Sequence, residues 1–205
     1  MRALILVLFI CLAGCAQQPK KAPSTPLPPS HEDATKWEHH QQQLKAMNHW
    51  QAHGRFAVAK GQKGGNASFI WHQAGENYKI KIFGPFASGT VLISGNPHQV
   101  KIQEPNGKIT TAHSPEQLMQ KRVGWYVPIV GLNYWLRGLP SPKSKPTIEL
   151  FDHLGHLLKL QQENWKIDYS KYSLNNFIYM PSQLRLQNNE LIIKMVVTSW
   201  EAPSS

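Results

Sequence analysis

The sequence predicts a mainly β fold, an antiparallel sheet of about eleven short strands arranged as a barrel or a sandwich. Apolar residues alternate with charged ones in several segments, most clearly in Tyr78-Lys-Ile-Lys-Ile82 and Trp165-Lys-Ile-Asp-Tyr169. Turn-forming residues separate these segments at intervals too short to hold crossover helices. The chain of 205 residues is 41% hydrophobic, which suffices for one domain with attachments.

The first fourteen residues predict a secretory signal peptide. Arg2 precedes an apolar run, Ala3 to Gly14, that is too short to span a bilayer as a helix of the mature protein. The run ends in Leu12-Ala-Gly-Cys15, which resembles the lipobox where bacteria attach diacylglycerol to cysteine and cleave just before it. We therefore expect lipidation of Cys15. The alternative is a soluble periplasmic protein that is cleaved nearby.

Cys15 is the one cysteine that the mature chain would keep, because Cys11 lies in the removed segment. The fold is therefore expected to hold no disulfide, no cysteine-based metal site and no thiol nucleophile. Two lipid groups hold a protein on a membrane more firmly than a single acyl chain, so the anchor should be permanent. Ala16 follows the cysteine in place of the Asp that retains enterobacterial lipoproteins in the inner membrane. We expect the periplasmic face of the outer membrane.

A tether and a helix precede the sheet. Residues 16–30 are rich in Pro, Gln, Lys, Ser and Thr and cannot bury enough surface to fold. A helix is expected from about Ala34 to Asn48, since Trp37, Leu44 and Met47 recur near helical spacing. The predicted organisation is a signal peptide over 1–14, a lipidated cysteine and tether over 15–33, and a β domain over 34–202.

Clusters of Gly, Asn, Asp and Pro mark the turns of the β domain, including residues 61–66, 74–77 and 152–155. Strands are expected between these turns, at 51–60, 67–73, 77–83, 89–94, 98–104, 107–112, 146–152, 156–162, 164–170, 182–187 and 190–200.

The strand series is interrupted once, between His113 and Pro142. Ser114 has the character of an N-cap with Pro115 at the first helical position, and a second short helix is expected near Gly131. Two helices inserted midway in a β chain are most simply accommodated when they pack across the mouth or face of the sheet. We expect them to form a lid.

The net charge and the export signal together limit the kinds of partner that the protein can bind. Removal of Met1 to Gly14 takes away only Arg2, which leaves 21 basic and 12 acidic residues and a net charge of +9 with neutral histidines. Export to the periplasm excludes nucleic acid, so the available anions are phospholipid head groups, lipid A phosphates and acidic protein patches. General solubility explains the charge equally well.

Residues that carry chemistry are scattered rather than grouped. The ten histidines lack the spacing and the accompanying ligands of a zinc site, so surface or core positions are expected for them, with no metal and no cofactor. No Gly-x-Ser-x-Gly elbow occurs, and Asp33, Asp152 and Asp168 have no evident catalytic partners. We expect no enzymatic activity.

One segment stands out between two strands. Phe83-Gly-Pro-Phe-Ala-Ser-Gly89 has the composition of a loop, yet Phe86 lies at its tip. Exposure of one Phe forfeits roughly 1.5–3 kcal/mol of burial, so such a loop is expected to insert into a membrane or a partner. The alternative is that Phe86 folds back under the lid.

From about Trp50 to Trp200 the chain resembles the LolB family of outer-membrane lipoprotein receptors. Several segments carry the resemblance through their order in the chain: Gly54-Arg-Phe56, Ala67-Ser-Phe-Ile-Trp71, Tyr78 to Phe86, Val127-Pro-Ile129, Tyr134-Trp-Leu-Arg-Gly-Leu-Pro140 and Trp165 to Tyr169. The resemblance implies an incomplete antiparallel β-barrel of about eleven strands, with a helical lid that encloses a hydrophobic cavity. In that family an exposed apolar loop residue is needed for delivery to the membrane, and by its position in the motif this residue is Phe86, beside Gly84 and Pro85. The family commonly has an aliphatic residue there, so Phe is a departure in shape.

The resemblance also implies partners. They are the periplasmic carrier LolA, acylated client lipoproteins and outer-membrane phospholipid. The protein itself is expected to be a monomer. From strand alternation we expect the wall of an acyl-chain cavity at Phe56, Phe69, Trp71, Tyr78, Ile80, Ile82, Leu118, Tyr134, Trp135, Trp165, Ile167 and Tyr169.

Two other functions remain open at this point. One is an envelope lipoprotein that serves as a structural module or binds a different hydrophobic ligand. Its interior should be filled by its own side chains if it is purely structural, because about eleven strands otherwise leave room for a ligand. The other is an envelope hydrolase, which requires a convergent Ser or His with an acid.

Overall fold

The computed structural model describes residues 31–84, 89–123 and 126–201. The elements, in chain order, are α1 (His31–Ala46), β1 (His49–Lys60), β2 (Lys63–Ala74), β3 (Asn77–Phe83), β4 (Thr90–Asn96), β5 (Gln99–Gln103), β6 (Ile109–Ala112), α2 (Pro115–Val123), α3 (Ile129–Leu136), β7 (Ile148–Phe151), β8 (Leu157–Gln162), β9 (Trp165–Asn175), β10 (Ile178–Gln187) and β11 (Ile192–Glu201).

The strands form one antiparallel sheet in the order β6-β5-β4-β3-β2-β1-β11-β10-β9-β8-β7. Strands that follow each other in the chain are neighbours in the sheet, except β6 and β7, and in addition the first strand pairs with the last along Gln51 to Ala59. β6 and β7 are the two edges, and α2 and α3 lie between them in the chain. The sheet is therefore open at one seam, which confirms the prediction of an incomplete antiparallel barrel of eleven strands.

Because every strand pair is antiparallel, the strand ends fall on two rims. The α1 rim carries the start of β1, the β7–β8 turn and the β9–β10 turn, and α1 packs there. The far rim carries the β1–β2 turn, the β10–β11 turn and the connection 84–89 between β3 and β4.

Alternation along the strands gives the sheet a buried and an exposed face. Tyr78 and Ile80 of β3 are buried, whereas the intervening Lys79 and Lys81 are exposed to solvent. Strand β9 follows the same rule in its first half, where Trp165, Ile167 and Tyr169 point inward. The period-two pattern of the sequence thus predicts these faces correctly.

Large aromatic side chains fill the half of the barrel interior that lies near the α1 rim and beside β9. The ring centroid of Trp50 lies 5.6 Å from that of Trp71 and 5.4 Å from that of Trp200, and all three side chains are buried. Trp135 of α3 packs on Trp165 of β9 with centroids 6.0 Å apart. Such tilted and edge contacts are favourable arrangements for aromatic rings. This half of the interior is a packed core.

A buried amide holds α3 against the sheet. Gln162 Oε1 accepts hydrogen bonds from Trp135 Nε1 at 2.9 Å and from the main-chain N–H of Ser141 at 2.8 Å. Its Nε2 donates to Ser141 O at 2.7 Å, and Tyr169 Oη donates to Trp135 O at 2.9 Å. Buried polar groups that are fully paired fix one arrangement of their neighbours. The second lid helix is therefore a fixed part of the fold.

The helices follow their predicted signals closely. α1 starts at His31, three residues before the predicted start, so the last three residues of the predicted tether are helical. The predicted N-cap of α2 is confirmed, because Ser114 Oγ accepts a hydrogen bond from Gln117 N at 3.2 Å. No helix within the described parts of the chain is both long and apolar enough to cross a bilayer.

Two hairpins have shorter turns and longer strands than predicted. The turn expected at 61–66 shrinks to two residues, with Gly61 at φ 56°, because β2 already begins at Lys63. β9 and β10 extend to Asn175 and from Ile178, where strands were expected only to 170 and from 182. The extension passes Pro181 through a register irregularity, the kind of position at which a sheet tolerates proline.

Gly54 offers a test of packing in the β1–β11 pair, where the register shifts between His53 and Gly54. A Cβ at Gly54 would lie 2.3 Å from Val196 O and 2.7 Å from the ring of Phe69. Gly54→Ala should lower the free energy of unfolding by about 1–3 kcal/mol, as overpacking does. The matched variant Gly65→Ala, where a Cβ meets nothing within 4 Å, should change it by less than about 0.5 kcal/mol. Urea unfolding curves of both variants measure this, and equal midpoints would contradict it.

Candidate functional site

The other half of the barrel interior is hollow. A cavity of about 390 Å³ lies between the concave face of strands β1 to β5, the start of β11 and the inner side of α3. This volume is within the range of about 300–1,000 Å³ that is typical of ligand pockets. Its wall consists of Phe56, Val58, Phe69, Trp71, Ile80, Ile82, Val91, Ile93, Ile102, Glu104, Val127, Ile129, Leu132, Ile193 and Met195.

Residue size explains why this half stays empty. The inward positions of β3, β4 and β5 carry isoleucine and valine here, as at Ile80, Ile93 and Ile102, in place of the tryptophans of the α1 rim. Aliphatic side chains of this length do not meet across a barrel of about eleven strands. An apolar cavity of this size has room for an apolar ligand.

The cavity opens toward the far rim. Val58 lies near the end of β1, Ile82 near the end of β3 and Val91 near the start of β4, and these strand ends all belong to that rim. Phe56, Ile82 and Val91 are only partly buried, which places the opening beside them. The connection 84–89 therefore leaves and re-enters the sheet next to the opening.

The cavity wall is apolar with one marginal exception. Glu104 is the lining residue with an ionisable side chain among the residues described, and it follows β5 at the far rim, half exposed. Among its described residues, this wall offers no set of polar groups for covalent chemistry. It suits a ligand that is recognised by its apolar surface.

Five of the residues that alternation placed on a cavity wall lie there: Phe56, Phe69, Trp71, Ile80 and Ile82. The others lie elsewhere. Leu118, Trp135, Trp165, Ile167 and Tyr169 are buried in the core outside this wall, and Tyr78 borders a small neighbouring pocket behind α3. Burial and a nearby Glu116 carboxylate raise the pKa of the Tyr78 hydroxyl, so it stays protonated.

Tyr134 lies on the outer side of α3, where it covers Arg137. The guanidinium carbon lies 5.2 Å from the Tyr134 ring centroid and 6.0 Å from that of Trp50. Arg137 Nη1 donates to Leu44 O at 3.1 Å and to Met47 O at 3.0 Å, which ties α3 to the end of α1. Burial lowers the pKa of Arg137 to about 10, so it remains charged at neutral pH.

Sequence reasoning missed the part of the wall that β11, β4, β5 and α3 supply. A signal was present in β11, where the buried residues Ile193, Met195 and Val197 alternate with less buried positions. The α3 residues Ile129 and Leu132, three apart, also share one helix face. Attention to aromatic residues drew the prediction toward the filled half of the barrel.

Histidines and acids form no metal centre in the parts of the chain that the structure describes, where no three such residues lie close enough to hold an ion. Those near α1 have structural contacts. His40 is buried with its Nδ1 3.0 Å from Gly155 O and its Nε2 2.8 Å from Tyr179 O. His53 Nε2 lies 3.4 Å from a Glu201 carboxylate oxygen.

Two of the predicted functional positions, Cys15 and the Pro85–Phe86 tip, lie outside the described residues. Gly84, the third residue of the predicted insertion segment, is half buried at the end of β3. The positions of Phe83 and Thr90 nevertheless place both ends of this segment at the far rim.

Comparison with known proteins gives a consistent result. The model of the family "Outer membrane lipoprotein LolB" matches residues 48–200. The Outer-membrane lipoprotein LolB of Pseudomonas fluorescens is 31% identical, with 98% of this chain and 96% of that protein covered. The protein of the same name from Chromohalobacter salexigens is 33% identical, with 96% and 88% covered.

Solved structures agree on the fold. A LolA superfamily protein from Nitrosomonas europaea superposes with a TM-score of 0.55 at 8% identity and covers 82% of this chain and 94% of its own. A DUF1329 family protein from Desulfovibrio piger gives a TM-score of 0.53 at 9% identity, with 86% and 95% covered. At such identities the likeness concerns the fold alone.

Val91 tests whether the cavity binds apolar molecules. Val91→Trp adds a large ring at the opening, and it should weaken binding of a fluorescent fatty-acid analogue by roughly tenfold, because the ring occupies volume that the ligand needs. Leu92→Trp, the next residue on the opposite face of β4, is the matched control and should bind as the wild type does. Fluorescence titration measures both, and equal weakening in the two variants would refute the assignment.

Proposed function

The chain belongs to the LolB family of outer membrane lipoproteins, and we propose that it receives lipoproteins from a periplasmic carrier in its apolar cavity and inserts them into the outer membrane. The observation that carries the proposal is the hollow, almost wholly apolar half of the barrel. A purely structural module would have this space filled by its own side chains. No catalytic step forms part of the proposal.

The physical need for such a receiver follows from the cost of exposing acyl chains. Each methylene group that leaves an apolar site for water costs about 0.8 kcal/mol, so a lipoprotein with several acyl chains does not cross the periplasm unaided. Transfer must run from one apolar cavity to another. The periplasm holds no ATP, so a gradient of affinity between the two cavities supplies the direction.

The fold likeness to a LolA superfamily protein supports this exchange. A carrier and a receiver that share a barrel with an apolar interior can offer a chain similar surroundings on both sides. The net charge of +9 on the mature chain would favour encounter with an acidic carrier through long-range attraction. The proposed carrier is LolA, and the proposed clients are acylated lipoproteins.

We further propose that Gly84, Pro85 and Phe86 form the element that contacts the bilayer during insertion. Its support is positional, because β3 and β4 bring both ends of the segment to the rim where the cavity opens. An apolar tip at that place could perturb the phospholipid surface next to the emerging acyl chains. The acyl chains would then leave the cavity next to the point where the protein contacts the membrane.

The proposed anchor is a lipid on Cys15. Its support is the lipobox-like Leu12-Ala-Gly-Cys15 after a signal peptide, and the Pro-rich residues 16–30 that join it to α1. Two or more lipid chains would hold the protein on the outer membrane. A domain on such a tether could turn and move while it stays at the membrane.

Phe86→Glu tests the insertion element. A lipid-free domain that starts at Ala16 is mixed with carrier loaded with radiolabelled lipoprotein, and then with liposomes. The variant should take up label as the wild type does but deliver it at least about tenfold less, because a carboxylate does not enter the apolar layer of a bilayer. Phe86→Leu, the matched apolar variant, should deliver normally.

The outcomes of this assay separate the hypotheses. Label that never leaves the carrier, even with the wild type, would contradict the receptor function. A structural module, or a receptor for a different hydrophobic ligand, would then be the favoured function. Normal delivery by Phe86→Glu would contradict only the assigned role of the loop.

Ala16 tests the membrane to which the protein is sorted. Ala16→Asp should shift most of the lipidated protein from outer-membrane to inner-membrane fractions of an enterobacterial host, since Asp after the lipidated cysteine is the retention signal. Ala16→Ser should leave it in the outer membrane. Density-gradient fractionation with immunoblotting measures the distribution, and an Ala16→Asp protein that stays in the outer-membrane fractions would contradict the sorting role of this position.

A further inference from the structure

An exposed apolar surface projects from the α1 rim, on the side of the sheet formed by β7 to β10. Phe177 is 95% exposed, Leu174 59%, Leu154 55% and Tyr179 44%. Leu174 and Tyr179 face each other across the β9–β10 hairpin, and Phe177 occupies its turn. These four residues are called the hairpin surface below. The cavity does not use any of them.

The geometry of the β9–β10 turn does not favour a Phe at position 177. Asn176 and Phe177 adopt φ values of 44° and 68°, in the left-handed region where a two-residue hairpin turn ordinarily has Asn or Gly. A bulky aromatic residue is strained there and its ring gains nothing from burial. A position that is unfavourable for both the turn and the core points to a contact outside the domain.

The hairpin surface is held in place before any partner arrives. The imidazole of His156 stacks on Tyr172 with centroids 4.7 Å apart, and Tyr172 Oη donates to Leu157 O at 2.7 Å. His40 Nε2 lies 2.8 Å from Tyr179 O, so α1 supports the base of the hairpin. Little ordering is therefore left for the moment of binding.

The chain enters the folded domain at the same place. The first turns of α1 pack on the β7–β8 turn, where Lys36 Nζ donates to His153 O at 3.3 Å. A Cβ on Gly155 would lie 2.6 Å from the carbonyl carbon of Lys36, which shows how closely the two segments approach. The first described turns of α1 therefore lie beside the hairpin surface.

We infer that the hairpin surface is a second membrane contact, on which the domain rests against the phospholipid bilayer that holds its anchor. The inference depends on the proposed lipidation of Cys15. The sixteen residue steps from Cys15 to His31 span at most about 55 Å, so the bilayer is the one apolar phase always within reach. Tethering raises the effective concentration of the hairpin surface at the lipid interface to the millimolar range.

The chemistry of the surface favours lipid over protein. Four side chains on a protruding turn offer far less than the roughly 800 Å² per partner that a stable protein interface needs. Phe, Leu and Tyr are the residues that enter the boundary between head groups and acyl chains. Lys36 borders the same groove as Phe177 but pairs with Glu32 at 2.8 Å, so the contact depends on apolar insertion more than on charge.

This contact would give the domain a resting orientation. The hairpin surface lies on the α1 rim, whereas the cavity opens at the far rim, so a domain resting on the hairpin presents its opening to the periplasm. Loaded carrier arrives from that side. Insertion through residues 84–86 requires the domain to turn over, and a contact made by four side chains is weak enough to release.

The test uses full-length lipidated protein in vesicles of phosphatidylethanolamine and phosphatidylglycerol. A lipidated Cys15 leaves no free thiol, so a cysteine introduced at the exposed Ser173 of β9 or at the exposed Asn189 of the far rim takes a single environment-sensitive fluorophore. Lipids with a spin label at a shallow position then report contact. Quenching at Ser173→Cys should exceed that at Asn189→Cys by at least about threefold, because only the α1 rim touches the bilayer.

Phe177→Ser provides the second arm. In the Ser173→Cys background it should bring the quenching down to the level seen at Asn189→Cys, while Ile109→Ser, which removes an exposed apolar side chain from the far rim, should leave it unchanged. Equal quenching at the two sites, or quenching that ignores Phe177→Ser, would overturn the inference. A fluorophore at 173 that responds only to added carrier would assign the surface to a protein and would also overturn it.

Failure of the anchor can be distinguished from failure of the hairpin contact. Wild-type protein that reacts with a maleimide has a free Cys15 thiol, which would refute the lipid anchor. In that case the same quenching ratio, measured at saturating vesicle concentration with unlipidated protein, still decides whether the hairpin surface binds lipid.

Discussion

The pairing of the first strand with the last is the constraint on which the remaining structure depends. β1 and β11 join the two halves of the chain, so β6 and β7 become the edges and the α2–α3 segment must bridge them. Without this pair the chain would form two separate sheets, and neither could enclose a volume. With it, the sheet curls far enough to surround an interior yet remains open at one seam, where the helices lie.

The interior is divided by side-chain size. Most tryptophans and tyrosines pack near α1 and beside β9, whereas mainly aliphatic residues, together with Phe56, Phe69 and Trp71, line the cavity. One half of the interior is therefore a core and the other is hollow. Gln162 connects the two, since its amide fixes Trp135 and Ser141 while α3 presents Ile129 and Leu132 to the cavity. The rigid half thus holds the inner wall of the hollow half, and a ligand would meet a surface that is already formed.

Sequence patterns predicted the number of strands, the antiparallel order, the two inserted helices and the inward face of strands such as β3, because alternation and turn residues are local signals. They predicted less well which inward residues bound a space. Whether Trp165 or Ile193 touches another side chain depends on what lies across the barrel, and that is settled only when the ends of the chain pair. The long β9–β10 hairpin was missed for a different reason, since Asn176 and Phe177 form a turn without glycine and Pro181 interrupts the strand pattern.

The attachment of α1 has a mechanical consequence. Any pull on the chain before His31 would enter α1 and pass to the sheet through Lys36 and His40, which contact the β7–β8 turn and the start of β10. At its other end α1 is held by Arg137, which donates hydrogen bonds to the carbonyl of Leu44 in the last turn and to that of Met47 just after the helix. If Cys15 carries the proposed lipid anchor, load from the membrane would be spread over the packed half of the barrel, and the strands around the opening would bear less of it.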